Sequence, residues 1–133
     1  MEQHKEILIK NSIEKADIAL NNAESNIQSD KLLDAQNRAY YSIFYIVLAL
    51  AYMDDFATGK HAQLMGWFNK KYIHENNIFN KNFSKIYQRL LINRQKFDYD
   101  VSKFPEKEQT IKDLEDAKFF VNEVKKYILN NIQ

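Results

Sequence analysis

Residues 41–53 read YSIFYIVLALAYM, and this apolar run decides the fold. Arg38 precedes the run, and Asp54 and Asp55 follow it. A helix that crosses a bilayer needs about 20 apolar residues, and this run is clearly shorter. Its apolar side chains point in several directions, which is typical of a helix that is buried on more than one side. The run therefore predicts the central helix of a soluble bundle.

Helical periodicity extends from this run over almost the whole chain. Strand-type alternation is missing, so the sequence predicts an all-α fold, an antiparallel four- or five-helix up-and-down bundle. We expect one domain over residues 1–133, with helices at about 3–27, 30–53, 60–74, 83–97 and 105–130. The first helix carries apolar residues at alternating steps of four and three, at Ile9, Ile13, Ala16, Leu20, Ala23 and Ile27.

Residues with known positional preferences mark the predicted helix boundaries. Ser29-Asp30 is expected to cap the second helix and Thr58 the third, because their side-chain oxygens can accept from free backbone N–H groups. Pro105 is expected in the first turn of the last helix, where its missing N–H is not needed.

Composition excludes several classes of function. The chain contains 2 Gly, 1 Pro and no Cys, which argues against a β-barrel and excludes disulfides and thiolate zinc sites. Lys and Arg number 19 against 18 Asp and Glu, so no overall positive charge attracts nucleic acid. No Glu-x-x-His pair or Gly-rich phosphate loop is present. We therefore expect no metal and no cofactor, and the polar N-terminus predicts a cytoplasmic protein without a membrane segment.

Two polar groups of residues interrupt the apolar pattern. The first lies on one face of the second helix, where Asp34 is expected to pair with Arg38 one turn on. This face forms either a structural polar seam or a ligand site. It consists of Asp34, Arg38, Tyr41, Ser42 and Tyr45.

The second group is Arg94, Asp98 and Tyr99, near the end of the fourth helix. Arg94 follows the apolar stripe by one turn, and Asp98 lies four residues further on. The pair forms either a helix-terminal ion pair or part of a phosphate site, because a planar guanidinium binds phosphate well.

Three sequence elements give the chain a resemblance to a known family. Residues 37–44 read NRAYYSIF, Gly59-Lys60-His61 opens the third helix, and Arg94-x-x-x-Asp98-Tyr99 closes the fourth. In this order they resemble motifs of HEPN domains, most closely those of small stand-alone prokaryotic members. The resemblance implies a homodimer and a minimal nucleotidyltransferase partner, in a toxin–antitoxin-like or defence module.

The resemblance also implies a polar cleft and a ligand. Many HEPN proteins are metal-independent RNases, in which an Arg is followed by four to six residues and a His. Here the corresponding positions after Arg94 hold Tyr99, Asp100 and Val101, so the expected catalytic His is absent. The cleft implied by the resemblance would be lined by Arg38, Tyr41, Tyr45, Arg94, Asp98 and Tyr99.

Three hypotheses of function follow from these residues. In the first, Arg38 and Arg94 bind a nucleotide or RNA phosphate, and Tyr41 or Tyr99 stacks on a base. In the second, the protein is an RNase of altered motif. Arg94 then stabilises the transition state, and Asp98 or a distant His carries the proton. In the third, the protein is an interaction subunit without a ligand.

Overall fold

The computed structural model of this chain describes residues 2–132, which form five α-helices. A π-helical segment, Asn69–Glu75, continues the third helix directly. No strand occurs within residues 2–132, so the prediction of an all-α fold is confirmed. The helices are α1 (Gln3–Gln28), α2 (Leu32–Met53), α3 (His61–Phe68), α4 (Lys81–Tyr99) and α5 (Lys107–Asn131).

Helix α2 is the centre of the bundle and contacts each of the other four helices. Its large apolar side chains are fully buried, among them Ile43, Ile46 and Leu50. Alanines at several α2 positions, including Ala35 and Ala39, are also fully buried. Small side chains let neighbouring helix backbones approach closely, so α2 can be enclosed on several sides. The central position predicted from the run 41–53 is confirmed.

Helices α1 and α2 make the most extensive contact of any helix pair, and residues 29–31 alone connect them. The heptad-like face of α1 is buried against this neighbour, including Ile9, Ala16 and Ala23. Burying one apolar stripe in this way is the main source of stability for an amphipathic helix.

A buried polar network fixes α4 against α5. The carboxylate of Asp113 on α5 is fully buried. It accepts hydrogen bonds from Arg89 Nε at 3.0 Å, Asn93 Nδ2 at 2.8 Å and Gln109 Nε2 at 2.8 Å. Arg89 also pairs with Asp116. Because Arg94 follows Asn93 directly, this network also holds the turn of α4 that carries Arg94.

The predicted third helix, 60–74, is wrong after Phe68. From Asn69 the chain forms a π-helix, and the N–H of Asn76 donates to the carbonyl of Lys71, five residues back. The wider π turn changes which side chains face the bundle. As a result the adjacent residues Tyr72 and Ile73 are both buried.

Two of the predicted helix starts need correction. Helix α2 begins at Leu32 with Lys31 as N-cap, because Asp30 has a left-handed φ of 55° and lies in the turn that leaves α1. Pro105 precedes Glu106, the N-cap of α5, and so lies before the first helical turn rather than in it.

The remaining boundaries also differ in detail. Thr58 Oγ1 accepts from the N–H of Lys60 at 3.2 Å, but Lys60 is the N-cap of α3 and the helix starts at His61. Asn80 caps α4 by accepting from the N–H of Asn82 at 3.0 Å, which moves the start of α4 to Lys81. None of the described helices combines the length and the apolar character that a bilayer crossing requires.

Candidate functional site

Arg94 lies near the end of α4, with its guanidinium against two aromatic rings of α2. Its Cζ atom is 5.0 Å from the ring centre of Tyr40 and 5.7 Å from that of Tyr41. Only 11% of the side chain is exposed. Attraction between the cation and the ring faces compensates part of the cost of removing the guanidinium from water.

The hydrogen-bonding groups of Arg94 are only partly satisfied. Its Nη1 donates to Asp98 Oδ2 at 3.5 Å, so the ion pair expected from the four-residue spacing is present but long. Its buried Nε has no hydrogen-bond partner among the described residues. A guanidinium carries five N–H donors, and a buried donor without a partner is costly. Arg94 therefore keeps capacity to bind an anion.

His61, the first residue of α3, lies against the same tyrosines. Its ring stacks on Phe44 with ring centres 4.4 Å apart and meets the edge of Tyr41 at 5.6 Å. Its Nδ1 is 2.6 Å from the hydroxyl oxygen of Tyr40. These contacts fix the plane of the imidazole and leave its Nε2 free of that hydrogen bond. We call Tyr40, Tyr41, Phe44, His61 and Arg94 the arginine–histidine cluster.

Burial and charge set the protonation states in this cluster. Burial raises the pKa of Tyr40, against an opposing effect of the Arg94 charge, so Tyr40 remains a neutral phenol. Burial and then the positive charge of Arg94 lower the pKa of His61 from its ordinary value of 6.5. Near neutral pH the cluster thus holds one fixed cation and a neutral imidazole. Such a site can bind an anion and can exchange a proton with it.

Arg38 lies on another side of Tyr41, with Cζ 4.9 Å from the ring centre. Its Nε and Nη2 both donate to Asn37 Oδ1, at 3.0 Å and 2.7 Å. The expected pair with Asp34 is wrong, because Arg38 forms no ion pair within residues 2–132. The amide of Asn37 has taken the place of the carboxylate. Tyr41 consequently contacts two guanidinium groups.

Tyr45 extends this strip by one helical turn. Its ring centre is 6.0 Å from that of Tyr41, and Lys15 Nζ of α1 is 5.8 Å from its ring centre. Tyr99 is different, since it is 76% exposed. Within residues 2–132 no hydrogen bond or ring contact joins Tyr99 to the cluster. The structure thus brings together five of the six cleft residues expected from the sequence and leaves Tyr99 apart.

Two members of the cluster were not among the predicted site residues, namely His61 and Tyr40. They are 21 positions apart, and only the path of the chain between α2 and α3 brings them into contact. The sequence signal for His61 was its place in the Gly59-Lys60-His61 element. Among the described residues, no group of three or more His, Asp and Glu side chains is placed to hold a metal ion.

Comparison with known proteins matches residues 9–127 to the family model for the HEPN domain. A "UPF0332 protein" of Thermotoga maritima is 29% identical over 126 residues, which cover 93% of each chain. A protein of Methanocaldococcus jannaschii named "Putative toxin" is 32% identical over 118 residues, covering 89% of this chain and 80% of its own. A second protein of that name from the same organism is 30% identical over 133 residues, covering 92% of this chain and 95% of its own.

Proposed function

This chain belongs to the HEPN domain family, and from that membership we propose that it binds a phosphate group of a nucleotide or of RNA at Arg94. One observation carries the proposal. Arg94 is almost enclosed by protein, yet its Nε has no partner among the described residues and its ion pair with Asp98 is 3.5 Å long. A phosphate oxygen would complete the hydrogen bonding of this guanidinium.

The surroundings of Arg94 favour a ligand that has both phosphate and base. Arg38 supplies a second guanidinium on the ring of Tyr41, so two cations lie close to one partly exposed aromatic side chain. Bases of single-stranded nucleic acid stack on such rings while arginines contact the neighbouring phosphates. The nearly balanced charge of the whole chain does not oppose this, because the cations are concentrated locally.

We extend the proposal to the biological role. Two relatives carry the name "Putative toxin", which supports a toxin-like role for this chain. A homodimer in the cytoplasm that works with a minimal nucleotidyltransferase is the arrangement we expect from the family. Light scattering of the purified protein measures the number of subunits directly, and a monomer at micromolar concentration would contradict the dimer.

Binding of a short oligonucleotide tests the phosphate site. The probe is a fluorescein-labelled 2′-O-methyl octanucleotide of mixed sequence, which keeps the phosphates and bases but has no free 2′-hydroxyl. We expect Arg94→Ala to weaken binding by at least about 10-fold and Arg94→Lys to weaken it less, since a point charge replaces the planar donor group. The Arg38→Ala/Arg94→Ala double variant should lose binding almost completely.

Lys126→Ala is the matched control, because it removes the same charge from an exposed side chain on the later part of α5. Its affinity should stay within about twofold of the unmodified protein, because exposed charges outside the site act only through the screened field. Circular dichroism of each variant verifies that the bundle is folded. Equal affinity of the double variant and the unmodified protein would overturn the proposal.

A further inference from the structure

The position at which RNases of this family place their histidine is occupied here by other residues, but a histidine reaches the same arginine from another helix. His61 contacts Tyr40 and Tyr41, the two rings against which the Arg94 guanidinium lies. The other histidines, His4 and His74, are exposed. Within the described chain, His61 is therefore the histidine that shares a site with Arg94.

We infer that His61 transfers the proton in a metal-independent cleavage of single-stranded RNA at Arg94, and that Tyr40 is the residue that positions it. The inference rests on the proposed function, because the scissile phosphate would occupy the site at Arg94. It adds a reaction and assigns a proton carrier outside the segment that follows Arg94.

The contacts of His61 suit this role. The hydroxyl of Tyr40 is 2.6 Å from Nδ1, and Tyr40 itself is fully buried in the core. A phenol can donate to a bare Nδ1 or accept from a protonated Nδ1, so it supports both states of the imidazole. With Nδ1 engaged, Nε2 is the nitrogen available to a ligand. Stacking on Phe44 holds the ring in one plane while Nε2 gains and loses its proton.

The reaction needs no other reagent. The Nε2 atom of His61 takes the proton of the ribose 2′-hydroxyl, and the 2′-oxygen forms a bond to phosphorus. The bond from phosphorus to the 5′-oxygen breaks, and that oxygen takes the proton back from Nε2. The products are a 2′,3′-cyclic phosphate and a 5′-hydroxyl. Arg94 stabilises the negative charge that builds up on the phosphoryl oxygens during the transfer.

Asp98, the other proton carrier that the sequence suggests, fits less well. It is the ion-pair partner of Arg94, so its carboxylate would compete with the phosphate rather than act on it. His61 is neutral near pH 7, since burial and the Arg94 charge lower its pKa, and it can accept a proton there. The titratable or charged groups that face His61 are Tyr40, Tyr41 and Arg94.

Cleavage of a strand with one ribonucleotide tests the inference. The substrate is a single-stranded deoxyoligonucleotide that carries one ribouridine between a fluorophore and a quencher, assayed in EDTA. We expect the unmodified protein to cleave only at the ribonucleotide, and mass spectrometry should find the cyclic phosphate. His61→Ala should lower the rate by at least about 100-fold, a typical share for a general acid–base group. Added imidazole should restore part of it.

Two further variants separate chemistry from structure. Tyr40→Phe keeps the ring beneath Arg94 but removes the hydroxyl, so we expect a smaller rate loss together with a displaced pH profile. His74→Ala removes an exposed histidine and should leave the rate unchanged. The all-deoxy strand should bind His61→Ala within about threefold of its affinity for the unmodified protein, because Arg94 is intact.

The outcomes are distinct. If the unmodified protein binds the all-deoxy strand but cleaves nothing, the inference is wrong and the proposed function stands. If His61→Ala cleaves as fast as the unmodified protein, another group carries the proton and the inference is again wrong. If neither strand binds, the proposed function fails as well.

Discussion

Removal of the Asp113 carboxylate should destabilise the bundle more than removal of any exposed carboxylate on its surface. Asp113 is fully buried and accepts three hydrogen bonds, of which one comes from the cation Arg89. Asp113→Ala leaves Arg89 with Asp116 alone and leaves the amides of Asn93 and Gln109 without their acceptor. We expect a loss of about 3 kcal/mol, the lower end of the range for breaking a buried ion pair, since Arg89 is 33% exposed.

Two related variants divide this loss into its parts. Asp113→Asn keeps the shape and one acceptor oxygen, so Arg89 and Gln109 can still donate, but an amide N–H₂ then faces Asn93. We expect about 1–2 kcal/mol for this change. Asp116→Ala removes the other partner of Arg89 from a position that is 27% exposed, and it should cost at most about 1 kcal/mol.

Urea unfolding followed by circular dichroism at pH 7 measures the three values. In thermal unfolding, about 4 °C of midpoint should be lost for each kcal/mol in a chain of this length. The ranking Asp113→Ala, Asp113→Asn, Asp116→Ala is the essential result. A loss below about 1 kcal/mol for Asp113→Ala, or an equal loss for Asp116→Ala, would refute the argument that the buried carboxylate organises the contact between α4 and α5.

Two further predictions concern the start of α4 and the imidazole of the cluster. Asn80→Ala removes the side-chain cap on the N–H of Asn82 and should lower the free energy of unfolding by about 1 kcal/mol, whereas Asn80→Asp should retain most of it; equal stability of the alanine variant in urea unfolding would contradict the capping role. The pKa of His61 is lower in the folded protein than its ordinary value of 6.5, so the unfolded chain binds more protons as the pH falls. The contribution of neutral His61 is therefore complete above about pH 6.5 and is lost on acidification. Between pH 7.5 and 5 the unmodified protein should lose more unfolding free energy than His61→Gln, and parallel curves for the two proteins would refute this.

The helices were predictable because each has a stripe of apolar residues that the fold buries. The long run 41–53 predicted a central helix, and α2 contacts all four others. The Arg94–Asp98 pair was predictable too, since residues four apart meet on a helix surface. These features depend on spacing within one helix, which a single sequence records.

Features that depend on contact between distant elements were not predictable. The spacing of Leu64, Phe68 and Tyr72 fits an unbroken α-helix, so nothing local indicated the π-helical segment after Phe68. The meeting of Tyr40 with His61 depends on the course of residues 54–60 between two helices. Arg38 donates to the amide of Asn37 instead of the carboxylate of Asp34, a competition that helix geometry alone does not decide.

The three-residue connection between α1 and α2 has a consequence for the order in which the molecule forms. The contacts of this hairpin close a short loop and therefore cost little chain entropy, whereas α4 and α5 must return to α2 across much longer segments. During synthesis the N-terminal hairpin emerges first and can pair while the rest of the chain is still being made. Arg94 joins Tyr40 and Tyr41 only after α4 has docked. A nascent chain thus carries the aromatic floor of the site well before it acquires the guanidinium, and the site is complete only when folding is nearly over.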